Sequence, residues 1–283
     1  MMQKFLVCTD GSQYSRVCCD YAAWLAARVK AEVHVIYVTD LRRFEMPFIT
    51  DLSGSLGIQP YQGMIGQLKE MEEQKAKAIR EDSLRIFEEK YPDGKVVFHH
   101  RTGLLVDLLE EMEAGCDLVL MGKRGESAEA AVEHLGSTME RVVRASDKPC
   151  LVTSRSFREI KKLLLAFDGG KSCRKALAFL CQSGAFKGLE LHIVVVAEDT
   201  GDEERALQQV QEAETKCREA GYALNCQMLH GTPEDQIAEY VGKQSIDLLL
   251  MGAYGHSRIR HLLIGSTTTE MIRRCRIPVL LFR

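Results

Sequence analysis

Five segments in the first half of this chain return, in the same order, in its second half, and that repetition narrows the fold more than any other feature. The run Lys4–Gly11 (KFLVCTDG) returns as Lys162–Gly169 (KLLLAFDG), and Val33–Val38 (VHVIYV) returns as Leu191–Val196 (LHIVVV). Asp117–Gly122 (DLVLMG) matches Asp247–Gly252 (DLLLMG), and Leu135–Thr138 (LGST) matches Ile264–Thr267 (IGST). Lys148–Val152 (KPCLV) matches Ile277–Leu281 (IPVLL). With 283 residues, the chain has room for two domains of roughly 150 residues each. The repeats therefore predict a duplicated domain, with boundaries at 1–155 and 160–283. The charged stretch Ser154–Glu159 is the expected linker.

Within each copy, short apolar runs alternate with longer amphipathic stretches. Tyr14, Val17, Cys18, Tyr21, Leu25 and Val29 recur at helical spacing, which marks one buried helix face. The runs at 5–8, 33–38, 96–98, 118–121 and 150–152 are short and continuously apolar. Continuous apolar strands separated by helices imply a parallel sheet covered on both faces. Each copy is thus expected to be a doubly wound, Rossmann-like α/β domain with a mostly parallel sheet of about five strands. The first copy is longer after its second strand, and Thr39 to about Gly66, with Pro47, Pro60 and several glycines, reads as a loop or lid.

In such a sheet a ligand sits outside the carboxyl ends of the strands, where the strand order reverses. Asp10-Gly11-Ser12 and Asp168-Gly169-Gly170 follow the first strand of each copy. Gly122-Lys123-Arg124-Gly125 and Gly252-Ala253-Tyr254-Gly255 follow the fourth, and Gly136-Ser137-Thr138 and Gly265-Ser266-Thr267 open the next helix. Glycine lets backbone N–H groups approach an anion, and a helix N-terminus favours negative charge. Together they suggest a phosphate cradle. Ser137-Thr138-Met139-Glu140 also spells a capping box, in which the serine serves only its own helix.

The second copy, Gly252-x2-Gly255-x9-Gly265-Ser266 after an apolar strand and with Asp168 at the end of strand one, resembles the ATP-binding signature of the universal stress protein family. The resemblance extends over nearly the whole chain as two tandem copies. It implies a domain that binds ATP or a related adenine nucleotide, with Mg2+ as a possible companion, and acts in stress survival or dormancy. By resemblance, Asp168 faces the ribose and the phosphate or metal region, beside the strand-end residue Ala166, and Val196 meets adenine through backbone groups. Met251, Gly252 and Gly255 line the phosphate path, and Gly265, Ser266 and Thr267 donate to phosphate oxygens. The matching residues of the first copy are Asp10, Val38, Gly122, Gly125, Gly136, Ser137 and Thr138. Its spacing, Gly122-x2-Gly125-x10-Gly136, is one residue longer, so the second copy is the expected principal site. Family members pair their last strands across a dimer, which makes Cys150–Thr153 and Val279–Phe282 the candidates for an internal contact. A homodimer of whole chains is the further assembly the resemblance allows.

Other signals carry less. Gly170-Lys171-Ser172 looks like the end of a P-loop, but the glycine that motif needs is Leu165. His34 and His192 recur inside strand two, where a packing role is expected, and His99-His100 would point to opposite faces of a strand. Lys123 and Arg124 fit either a phosphate contact or a solvated turn. The ten cysteines lack metal-ligand spacing and read as structural thiols. No general base or arginine finger stands beside the glycine signature, so efficient turnover is not expected. Slow ATP hydrolysis and a vestigial, non-nucleotide interaction module are the alternatives to a nucleotide-dependent regulatory module. A net charge of −3 provides no basic field for nucleic acid or anionic membranes. No apolar run approaches the ~18 residues of a membrane span, and the N-terminal apolar run is too short for a signal peptide. A cytoplasmic location is the resulting expectation.

Overall fold

The computed structural model describes residues 2–40, 58–125, 137–253 and 265–283. The first half runs β1 (Lys4–Thr9), α1 (Gln13–Val29), β2 (Glu32–Thr39), α2 (Ile58–Lys90), β3 (Val96–Thr102), α3 (Leu105–Glu113), β4 (Leu118–Gly122), α4 (Ser137–Ala145) and β5 (Cys150–Thr153). The second runs β6 (Lys162–Ala166), α5 (Lys171–Ser183), β7 (Glu190–Ala197), α6 (Glu203–Glu219), β8 (Leu224–His230), α7 (Pro233–Gln244), β9 (Leu248–Gly252), α8 (Ser266–Arg274) and β10 (Val279–Phe282). Strand order is β3-β2-β1-β4-β5-β10-β9-β6-β7-β8 in one ten-stranded sheet. Every pairing is parallel except β5 with β10.

That order is two doubly wound sheets joined edge to edge. Leu151 lies opposite Leu280, and Cys150 opposite Leu281, so the two final strands named from the sequence are the ones that meet. Alternate residues of the joined strands feed opposite layers: Leu151 and Leu280 enter one core, Cys150, Val152, Val279 and Leu281 the other. Joining the halves here removes the two apolar strand edges that separate domains would leave unpaired.

The same local device starts the sheet in both halves. Asp117 precedes β4, and its Oδ2 accepts from the N–H of Gln3 (2.7 Å) and of Lys4 (3.1 Å). Asp247 precedes β9, and its Oδ2 accepts from Lys161 (2.9 Å) and Lys162 (3.0 Å). Each carboxylate satisfies two amides at the open end of a central strand, fixing β4 against β1 and β9 against β6.

Two segments differ from expectation. The stretch read as a loop to about Gly66 is helical from Ile58. Pro60 lies in the first turn, where its missing N–H costs nothing because first-turn amides have no helical acceptor. The rest of that stretch, 41–57, lies outside the described residues. The charged linker is anchored by its one aromatic side chain: Phe157 packs against Tyr21 at 4.8 Å between ring centroids, and Lys90 sits 4.7 Å over its face. The Tyr21 hydroxyl accepts from the Arg158 N–H at 3.1 Å. Eight of the ten thiols are buried, and burial pushes Cys8, Cys19, Cys150 and Cys173 up to about 12. Such groups pack as small apolar side chains. Among the described residues no helix is long and apolar enough to cross a membrane.

Candidate functional site

The strand order reverses between β1 and β4 and again between β6 and β9, so each half has a crevice at its switch point. Asp10 leaves β1 and Asp168 leaves β6 into turns made by Gly11 (φ +80°) and Gly169 (φ +69°), a conformation that glycine adopts without penalty. The carboxylates fold back on these turns: Asp10 Oδ1 accepts from the Ser12 N–H (3.0 Å), and Asp168 Oδ1 from the Gly170 N–H (2.7 Å). Ala166 pairs with Val194, and Thr9 with Tyr37. Continuing these registers brings Val196 level with Asp168, and Val38 level with Asp10. Gly252 closes β9 at the same end, after the buried Met251.

Helix α8 is built differently from a capping box. Gly265 is the N-cap of α8 and offers no side-chain hydrogen bond, so the exposed Ser266 is the first helical residue. The Thr267 hydroxyl donates to Glu234 Oε2 at 3.3 Å. Thr268 was not singled out by the sequence, yet its buried hydroxyl donates to the carbonyls of Gly252 (3.1 Å) and Ala253 (3.3 Å). It ties the start of α8 to the end of β9. In the first half, α4 starts at Ser137 with Thr138 exposed, and the residue matching Thr268 is the buried Met139. Gly136 and Gly255 lie outside the described residues.

The helix that follows strand two covers each crevice, and here the halves part company. In the second half α6 lays Gln209 over Gly169, and Gln209 Nε2 donates to the Asp168 carbonyl at 2.8 Å. Asp168, Gly169, Arg174, Arg205, Gln208, Gln209 and Glu212 line an open polar cleft of about 290 Å³. In the first half the side chain over Gly11 is Ile79, which is buried with Ala76 and Tyr37. Gly125 sits directly on the other carboxylate, because a Cβ there would lie 2.6 Å from Asp10 Oδ2. Over the turn after strand one, the first half thus places an apolar side chain where the second half places a polar one.

Beside each crevice lies an ion pair absent from the sequence reading. Arg16 meets Asp82 at 2.7 Å, and Arg174 meets Glu212 at 3.0 Å. Both arginines stand at the same place after the strand-one aspartate, so comparing the copies could have found them; their acidic partners come from distant helices. Arg174, with Lys216 in support, holds the Glu212 carboxyl down at about 2 from an ordinary 4.5. A depressed folded-state pKa contributes stability above pH ~4.5 that is lost as pH falls toward 2. The stability difference between wild type and Glu212→Gln is therefore expected to be about 1 kcal/mol at pH 6 and to vanish near pH 2. Urea unfolding across that range measures it, and a difference that persists at pH 2 would exclude the ion pair as its source.

Lys123 is engaged within the chain itself. Its Nζ crosses to the other half and donates to the carbonyls of Arg273 (3.1 Å) and Cys275 (3.2 Å), at the C-terminal end of α8. Burial pulls its ammonium down to about 8, with Arg124 adding repulsion. His34 and His192 do have matching roles: each binds the glutamate two positions earlier in its strand, His34 to Glu32 (2.7 Å) and His192 to Glu190 (2.8 Å). Their other ring nitrogens meet His99 and the Tyr240 hydroxyl.

Two doubly wound units sharing one sheet, each with an acidic turn and a helix start at its switch point, define a tandem, Rossmann-like α/β protein. Residues 1–154 and 159–283 each match the universal stress protein family. The chain is 41% identical over 288 residues to universal stress protein Slr1230 of Synechocystis sp., spanning 100% of both chains. The chain belongs to the universal stress protein family. Among solved structures, a universal stress protein from Archaeoglobus fulgidus DSM 4304 shares the fold with a TM-score of 0.67 and 22% identity, over 99% of this chain and 98% of that one. A putative universal stress protein from Pseudomonas aeruginosa UCBPP-PA14 does so with a TM-score of 0.64 and 15% identity, over 99% and 93%.

Proposed function

We propose that the chain is a regulatory module that binds an adenine nucleotide, ATP by preference, in the second-half crevice between β6 and β9. The observation that carries this reading is the start of α8. Its N-cap is a glycine without a side-chain bond, so the first-turn amides and the positive end of the helix dipole are not taken up by a cap. This anion-favouring end lies at the same sheet edge as Asp168 and the polar cleft. In that position the Asp168 carboxylate would meet the ribose or a Mg2+ ion on the phosphates. The backbone at Val196 would meet the base, and Ser266 would donate to phosphate oxygens. The first crevice, with Ile79 over Gly11 and Gly125 on Asp10, supports an unequal pair. Bound nucleotide would favour one conformational or oligomeric state for a protein partner to read.

The test places a carboxylate where phosphate is proposed to sit. Glutamate in a first helical turn favours the helix, so Ser266→Glu should fold while competing with phosphate. Calorimetric titration is expected to show ATP affinity reduced about 100-fold in Ser266→Glu and less than about threefold in Ser137→Glu. The reverse pattern would move the site to the first half. No effect in either variant would remove it from both helix starts.

A further inference from the structure

We infer that Lys123, at the end of β4 in the first half, is a positioning residue for the second-half crevice, because it pins the far end of the helix whose first turn forms the proposed cradle. The inference rests on the nucleotide reading above and extends it to a link between the halves. Helix α8 is nine residues long, and a helix of that length moves as a rod. Its first turn is tied to β9 through Thr268 and its last carbonyls to the first half through Lys123. The placement of the α8 N-terminus therefore depends on both anchors.

Lys123 is itself held on two sides. Its backbone N–H donates to the Thr153 carbonyl at 3.0 Å, at the end of the strand that joins the halves. It also sits between Gly122, packed against Tyr14, and the Arg124-Gly125 segment that closes on Asp10. The first-half loop that corresponds to the second half's phosphate loop thus acts as a strut for α8. A cation on the last carbonyls of a helix is favoured by the helix dipole, and the residue matching Lys123 in the second half is Ala253, which cannot reciprocate. A different residue makes the return contact: Arg283 Nη1, beyond β10, donates to the Arg144 carbonyl at 2.9 Å, in the last turn of α4. The molecule therefore supplies its own control, an equivalent cross-half contact on the helix of the other crevice.

The experiment compares full-length Lys123→Met, which keeps length and apolar bulk but loses the donors, with Arg283→Met and Lys123→Arg. Amide hydrogen exchange without nucleotide reads helix placement. Lys123→Met is expected to speed exchange about fivefold or more along α8, including Thr269 and Glu270, the first amides of the helix with acceptors four residues back. Arg283→Met should leave α8 within twofold, and Lys123→Arg should restore protection. Titration with ATP reads the crevice: affinity should fall about tenfold in Lys123→Met and less than twofold in Arg283→Met. Unchanged exchange in α8, equal effects of both methionine variants, or altered exchange with unaltered ATP affinity would each overturn the inference. Should the wild type fail to bind ATP, the proposed function falls, and the exchange comparison alone decides whether Lys123 positions α8.

Discussion

Gly122→Ala is expected to lower the unfolding free energy by about 2–3 kcal/mol, although nothing but one methyl group is added. A Cβ at this position would lie 2.8 Å from the Cβ of Tyr14 and 3.1 Å from both the Tyr14 carbonyl carbon and the Arg124 oxygen. These are backbone or backbone-adjacent atoms. Helix α1 cannot retreat, because Val17, Cys18, Tyr21, Ala22 and Leu25 on its inner face are buried in the core. The matching position, Gly252, is less crowded: the nearest atoms would be Ser172 Cβ at 3.0 Å and Cys173 Sγ at 3.1 Å. There no contact falls below 3.0 Å and the nearest backbone atom, Cys173 N, lies at 3.4 Å, so a small shift suffices and Gly252→Ala should cost nearer 1 kcal/mol. Urea titrations of the two variants give the comparison, and a Gly122→Ala protein within about 0.5 kcal/mol of wild type would contradict the packing argument. The first glycine of the signature is thus required by helix–strand contact in both halves, whatever binds there. Lost ligand affinity in a glycine variant is informative only beside its unfolding curve, which is why the proposed ATP test uses Ser266 instead.

The features that were legible in the sequence are those a short window records. Apolar runs ending in Asp10 and Asp168 announce β1, β6 and the turns that follow, and duplication makes each reading count twice. The joining strands were legible because an apolar final strand in each copy needs a neighbour. What escaped depends on partners far along the chain. Lys123 looks like a turn cation, and only the packed halves bring α8 within its reach. Arg174 and Glu212 lie on separate helices, and the acidic partner of Arg16 belongs to the long α2. Thr268 is hidden among three consecutive threonines, of which the fold selects one for the β9 carbonyls. Pro60 misleads because a breaker within a helix is harmless in its first turn.

The two halves of this molecule are not two beads on a string, and Leu280→Asp should show it more sharply than any change in a crevice. Leu280 is 1% exposed, lies opposite Leu151 on one side and Leu250 on the other, and sits at the centre of the ten-stranded sheet. A carboxylate placed there would be surrounded by apolar side chains from both halves and would face no cation among its strand partners. Burying an unpaired charge, or forcing it to protonate, costs about 4 kcal/mol or more. The cheapest escape is to part β10 from β5, which strands an unpaired apolar edge on each half. The expected result is a lower melting temperature, early proteolytic access to the linker around Phe157, and self-association at micromolar concentration on a sizing column. Leu280→Val, which keeps the join and loses one methylene, should cost about 1 kcal/mol and remain a single species. The half-exposed Leu207 offers the matching surface control, since Leu207→Asp should melt with the wild type. A Leu280→Asp chain that also melts with the wild type, and resists protease equally, would mean that the halves hold together without their shared strands. The Lys123 and Arg283 contacts would then have to carry the joint, and two hydrogen-bonded cations at about 1.5–3 kcal/mol each are too few to replace a continuous sheet.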